Sequence, residues 1–271
     1  FQTVIYTGNG SANHAITLGG DTDMQPDFVW IKNRDAADSH CVFDAVRGAT
    51  EVLHADTTAA EATDADTLDS FTSDGFQVDA DVKVNTNAEK YVAWCFKESA
   101  TAGFDIVTYT GNGTDDTDIS HSLSAVPHVI LVKNRAATQP WRMQHKALGE
   151  TFGLILNDAT AKDDDNTAWS DEAPTSSVFT LGTSANTNNN TEAFIAYVWS
   201  EKQGFSKFGG YTGNGNADGP FIYTGFRPAF VIVKQTDSAG TWNIYDNKRE
   251  GYNVKNLSLI HISEPTRQAE I

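Results

Sequence analysis

The chain has 271 residues, 36 acidic against 19 basic, for a formal net charge of −17. With no cluster of Lys and Arg, this balance argues against a nucleic-acid partner, whose phosphates are gripped mainly by grouped cations. No apolar run reaches the roughly 18 residues of a membrane-spanning helix, so membrane insertion is not expected, and the acidity reads as solubility and self-repulsion.

The elements recur along the chain. Tyr-Thr-Gly-Asn-Gly stands at Tyr6 to Gly10, at Tyr109 to Gly113 and at Tyr211 to Gly215. Pro26, Pro127 and Pro228 keep the same spacing, and each leads an apolar run that ends in Lys32, Lys133 or Lys234. A period of about a hundred residues marks tandem domains and not a short-repeat solenoid. The expected division is repeat one over 1–100, repeat two over 101–203 and a partial repeat three over 204–256.

Within repeat one, Thr3 to Thr7 reads as a strand, and Asn9-Gly10 after it is a strong hairpin signal, since both residues tolerate the left-handed region. That turn role is preferred over a ligand loop. Phe28 to Lys32 is continuously apolar up to its lysine, which implies a strand covered on both faces. Further strands follow at His40 to Phe43, Val52-Leu53, Phe76 to Val78 and Tyr91 to Phe96, each with a counterpart in repeat two. Thr57 to Leu68 is Ala-rich enough to suggest a helical turn, whereas its counterpart carries Asp163-Asp164-Asp165 and does not. Short strands with Gly and Asn turns predict an all-β chain of tandem β-sandwich, jelly-roll-like domains. The linkers Glu98 to Phe104 and Glu201 to Phe208 are short, so a semi-rigid string of beads is expected. Arg142 and Asn243 stand where repeat one has Cys41, which puts Cys41 on a solvent face. Val198 stands at the place of Cys95, which puts Cys95 in a core and makes a disulfide between them improbable.

Chemistry-bearing patterns are sparse. The sequence has no phosphate loop, no His-Glu-x-x-His, no Cys-x-x-Cys and no Gly-x-Ser-x-Gly. The histidines are scattered, and Asp27 and Asp44 at the places of His128 and His145 suggest surface positions. The acidic loops at Asp21 and Asp23, at Asp115, Asp116 and Asp118, and at Asp163 to Asp165 are the candidates for calcium. A linear run does not show the convergence that six to eight oxygen ligands require, and a plain solvated loop is the preferred alternative. Trp169, flanked by Asp164 and Asn166 in a polar loop, is the candidate ligand contact. Leu68 at its place in repeat one favours a buried anchor instead.

The end of the sequence stands apart. Leu257 to Arg267 resembles a translated sequencing-library adapter, and Gln268 to Ile271 fits an index with more adapter. With the opening at Phe1 in mid-strand, this reads as a fragment at both ends. Repeat three would then lack its closing strands, be the least ordered part and expose edges that invite self-association, including homo-oligomers.

As a set, several stretches resemble a repeat of tail-fibre-like and other virion structural proteins of marine bacteriophages. They are Tyr-Thr-Gly-Asn-Gly, the Pro-led Val-Ile-Val-Lys strand, Ala173 to Leu181, Phe194 to Glu201 running into Lys207 to Gly215, and Gly219 to Pro228. The resemblance implies a concanavalin-like or laminin-G-like β-sandwich in a virion tail appendage that recognises a host-surface glycan or protein, with no catalytic residues to carry over. A bacterial cell-surface adhesin or carbohydrate-binding array is the alternative. A glycan-cleaving enzyme is the third, and needs two facing carboxylates about 5 to 9.5 Å apart that the sequence does not nominate.

Overall fold

The structure, a computed structural model, describes residues 1–249; the expectations for 250–271, the adapter-like stretch 257–271 among them, lie outside the described residues. Unit one contributes β1 (Gln2–Thr7), β2 (His14–Thr17), β3 (Phe28–Asn33), β4 (Cys41–Asp44), β5 (Gly48–His54), β6 (Ala62–Thr63), β7 (Leu68–Thr72), β8 (Gly75–Val78) and β9 (Lys90–Phe96). A six-stranded antiparallel sheet runs β1-β9-β3-β4-β5-β6, and a smaller sheet β2-β8-β7 covers one of its faces.

Unit two repeats this plan. Its strands are β10 (Phe104–Thr110), β11 (Thr117–Ser120), β12 (Val129–Asn134), β13 (Arg142–His145), β14 (Phe152–Ile155), β15 (Asp163–Asp164), β16 (Val178–Leu181) and β17 (Ala193–Trp199). The large sheet runs β10-β17-β12-β13-β14-β15 and the small one is β11-β16. Three one-turn helices complete the pair: α1 (Val82–Asn85), α2 (Asn166–Trp169) and α3 (Ala185–Asn188). Unit three supplies β18 (Phe230–Val233) and β19 (Asn243–Asp246), which among the described residues pair with each other.

The Pro-led strands of units one and two, β3 and β12, are buried along their whole length. Val29 and Ile31 face the small sheet and pack with Ile16, Phe76 and Val78, while Phe28 and Trp30 project from the opposite face. Two covered faces remove the alternation a half-buried strand would show. The second face does not meet a partner inside its own unit. It enters one apolar cluster that joins Trp30 and Trp94 of unit one, Leu131, Trp141 and Tyr197 of unit two, and Trp242 and Ile244 of unit three.

That shared core replaces the expected string of beads. A second large apolar sheet face left in water would forfeit about 25 cal/mol for each Å², so the units close on one another despite their short linkers.

Local expectations change too. Asn9-Gly10 is not a hairpin turn: β1 pairs with β9 and β2 with β8, so the loop carries the chain between sheets. No helix forms over Thr57 to Leu68; the one-turn helix lies instead in unit two at α2, where the Asp165 side chain accepts from the Ala168 backbone N–H. Cys41 is fully buried and free, as is Cys95. The polar counterpart misleads because Arg142, at the place of Cys41, is itself 2 % exposed.

Candidate functional site

The ligand candidates in unit two take three different positions. Trp169 has no exposed surface and packs with Phe179, Leu181 and Phe194, so its ring offers no platform to a sugar. Leu68 is equally buried in unit one, and the two side chains plug corresponding cores. Asp164 and Asn166 are exposed on either side of Asp165. The structure therefore does not bring the three together.

The acidic run has a local counter-ion. Arg142 Nη1 bonds Asp163 Oδ2 at 2.9 Å, Nη2 bonds Asp163 Oδ1 at 3.1 Å, and Nη2 lies 3.1 Å from Asp165 Oδ2. A buried guanidinium is stable only when paired, and two carboxylates on one short turn supply that pairing. Gly153 gives this packing its room, since a Cβ there would lie 2.8 Å from Arg142 Nη2 and 3.0 Å from Trp169 Nε1.

Elsewhere, Asp115 accepts from the Ser170 hydroxyl at 2.7 Å and Asp118 from Thr180 at 2.9 Å. Among the described residues no three His, Cys, Asp or Glu side chains gather as a metal site. His128 and His145 are half-buried beside Phe208 and not surface groups; burial first, then neighbouring charge, lowers His145 to about 4.

The densest polar constellation lies where unit two meets unit one. Asp44 and Arg47 form an ion pair with no exposed side-chain surface, and Arg47 Nη1 also reaches Glu61 at 2.8 Å. Arg135 of unit two grips the same Glu61 at 2.7 Å. The Tyr197 hydroxyl donates to Asp44 Oδ2 at 2.7 Å and accepts from Arg47 Nη2 at 3.3 Å. Burial by itself would raise the Glu61 carboxyl, but the two guanidiniums hold it below its usual value. Burial most of all pushes the Tyr197 phenol far up, so it stays a neutral donor.

Further bonds cross the junctions, and these recur. Trp141 Nε1 donates to the His54 carbonyl at 2.8 Å, as Trp242 Nε1 does to the Ile155 carbonyl at 3.0 Å. Lys133 Nζ donates to the Thr58 carbonyl at 3.2 Å and Lys234 Nζ to that of Ala159 at 3.4 Å. The terminal lysines of units two and three are thus cross-unit struts. Burial lowers Lys133 to about 8.

The pentapeptide is a clasp. In unit one, the Asn9 N–H donates to Asn85 Oδ1 at 2.9 Å, the Gly10 N–H to the Asn85 carbonyl at 2.8 Å, and the Tyr6 hydroxyl to the Val84 carbonyl at 2.8 Å. Unit two repeats it, with Asn112 and Gly113 on Asn188 and Tyr109 on the Thr187 carbonyl. A Cβ on Gly8 would lie 2.1 Å from the Thr86 carbonyl oxygen, and one on Gly111 2.2 Å from that of Asn189, so both positions exclude any side chain.

The model of a family described as a domain of unknown function, DUF7483, matches residues 1–271. The chain belongs to that family. No curated protein matches it, and no solved structure does. The family match runs through 257–271, the stretch whose sequence resembles an adapter.

The cross-unit network of Asp44, Arg47, Glu61, Arg135 and Tyr197 was not singled out from sequence. A signal was present: Asp44 and Arg47 recur at the same spacing as Asp246 and Arg249, next to the aligned strands.

Proposed function

We propose that the chain is a non-catalytic structural and adhesive repeat array of a virion appendage such as a tail fibre, which presents loops to a host-surface glycan or protein. The observation that supports it is the recurrence of one set of inter-unit bonds. The Trp-to-carbonyl and Lys-to-carbonyl contacts of units one and two reappear between units two and three. Buried side chains that carry charge, among them Asp44, Arg47 and Arg142, are engaged in holding units or sheets together. Such an array holds many copies of weakly binding loops in fixed relation, and tethering then raises the effective concentration of each. Acidic, Thr- and Asn-rich loops between strands are the ligand-facing part of this reading.

Two measurements test it. Gold-labelled antibody against the chain should decorate the tails of phage particles whose genomes encode it, and the full chain should bind intact host cells or arrayed glycans with low affinity per unit. Labelling of cell envelopes alone would transfer the reading to a cell-surface adhesin. Release of reducing sugar, lost on changing a single carboxylate, would replace it with a glycan-cleaving enzyme.

A further inference from the structure

The two linkers are anchored at equivalent points by different acceptors. Where unit one runs into unit two, the Glu98 N–H donates to Asp27 Oδ2 at 2.8 Å; where unit two runs into unit three, the Glu201 N–H donates to His128 Nδ1 at 3.2 Å. A second exchange lies beside the first. The turn after β4 is held by Asp44 Oδ1, which accepts from the Val46 N–H at 3.1 Å, and the turn after β19 by Asp246 Oδ1, which accepts from the Lys248 N–H at 3.0 Å. After β13 the acceptor is His145 Nδ1, bonded by the Ala147 N–H at 3.1 Å. His145 pairs across the sheet with Val129, next to His128. Phe208 of the linker lies beside both imidazoles, with ring centroids 6.1 and 6.4 Å away, and also packs against the shared core.

The exchange matters because of what a proton does. A carboxyl group keeps an acceptor oxygen when protonated, whereas an imidazolium has two donors and no acceptor. In neutral His128 the bond from Glu201 assigns the ring hydrogen to Nε2. The same Nδ1 lies 3.1 Å from the Val126 carbonyl, so a protonated ring donates there and drops the Glu201 N–H. Protonated His145 turns an N–H toward the Ala147 N–H. Among the described residues, the charged groups that face the pair are Lys146, Lys207 and Glu201. Glu201 Oε2 is 4.0 Å from His128 Nε2 and 3.5 Å from Lys146 Nζ, while Oε1 bonds Lys207 Nζ at 2.7 Å. One carboxylate already answers two lysines, and two imidazoliums beside it are left in excess.

We propose that His128 and His145 form an acid-released latch, which docks the Glu201 to Phe208 linker on unit two while both rings are neutral and frees it once they are protonated. The direction of the effect follows from the burial of the rings. Burial first, then Lys146, lowers His128, and burial, then His128 and Lys146, lowers His145 to about 4. Freed imidazoles return toward the ordinary value of about 6.5, so the released state binds more protons between the two. Docking is therefore complete above about pH 6.5 and is lost as pH falls toward 4. This inference does not depend on the proposed virion role.

The test follows amide exchange in the full chain, corrected for the intrinsic rate at each pH. From about pH 7 to about pH 5, protection of Glu201 to Phe208 should fall by at least about tenfold, while that of Glu98 to Phe104 should not fall. The double variant His128→Asn, His145→Asn keeps a neutral acceptor at both places and should hold the second linker at either pH. Unchanged protection of the second linker, an equal loss in the first, or the same loss in the variant overturns the proposal. Should the variant fail to fold, nitrogen NMR of the imidazoles in the unaltered chain decides. A bare Nδ1 in both rings at neutral pH, with linker signals that shift at the ring midpoints, supports the latch. Hydrogen on Nδ1 at neutral pH, or linker signals that move at another midpoint, overturns it.

Discussion

Tyr-Thr-Gly-Asn-Gly has three identical copies and two different fates. In units one and two, a tyrosine ring stacks 5.1 Å from Tyr91 or Phe194, the loop grips Asn85 or Asn188, and a strand enters the large sheet. In unit three the same five residues form no strand, and Phe221 and Tyr223 nearby are 89 % and 78 % exposed. Local sequence is held constant while structure changes, so the conformation comes from the partner. The pentapeptide is shaped to fit a helical turn and closing strand, and its own propensities do not suffice.

The largest expected effect probes the buried network on either side of this comparison. Arg47→Ala leaves Asp44 buried and uncompensated, and should cost about 3–5 kcal/mol. Arg249→Ala likewise takes the cation from Asp246, which has no exposed side-chain surface, and should cost somewhat less because the guanidinium there is 8 % exposed. Urea denaturation of both variants measures this. Equal losses would mean that unit three is as firmly integrated as unit one.

Glycine substitutions come next. Gly8→Ala and Gly111→Ala force backbone to move away from a carbonyl oxygen and should each destabilise by about 2–3 kcal/mol. A Cβ on Gly213, the third copy, meets nothing within 4 Å, so Gly213→Ala should be neutral within about 0.5 kcal/mol. Thermal melts of the three variants suffice. A costly Gly213→Ala would show that the third loop is clasped by something in solution.

A pH effect sits at the junction of units one and two. Burial, and then a hydrogen bond with Asp105, raise the Glu98 carboxyl to about 7. The folded value lies above the unfolded one of about 4.3, so the native state holds more protons between them. Stability should therefore fall as pH rises from about 4.5 to 7, by about 1–2 kcal/mol once solvent at this half-buried site is allowed for. Glu98→Gln should flatten that slope and raise stability at pH 8. An unchanged profile would exclude Glu98 as its source.

The smallest effect should come from the tryptophan struts. Trp141→Phe and Trp242→Phe each delete one donor to a carbonyl and should cost about 1 kcal/mol. The second should act only through the contact between units two and three. Double substitution with Arg249→Ala would show whether the unit-three junctions are coupled.

Much of the fold was legible because patterns of composition report burial. Continuous apolarity at Phe28 to Ile31 and Val129 to Val132 marks two covered faces, and Leu68 opposite Trp169 marks a plugged core, which the structure bears out for Trp169 as an anchor. What sequence pattern misjudged was polarity that folding brings indoors. Arg142 at the place of Cys41 looked like a surface signal, but Asp163 and Asp165 follow it into the sheet edge and neutralise it. Asn9-Gly10 looked like a hairpin turn, because a two-residue signal reports allowed backbone angles and not which strand lies alongside.

By itself the sequence determined the period, the all-β character and the placement of the core strands. These depend on residue type and spacing along one chain. Only the tertiary structure decided that the units share a core instead of hanging as beads, that the acidic run answers an arginine, and that the pentapeptide clasps an asparagine 76 residues from its own. Each of those depends on which surfaces meet across distant chain segments, and the free energy of such meetings belongs to pairs of faces that no local pattern encodes.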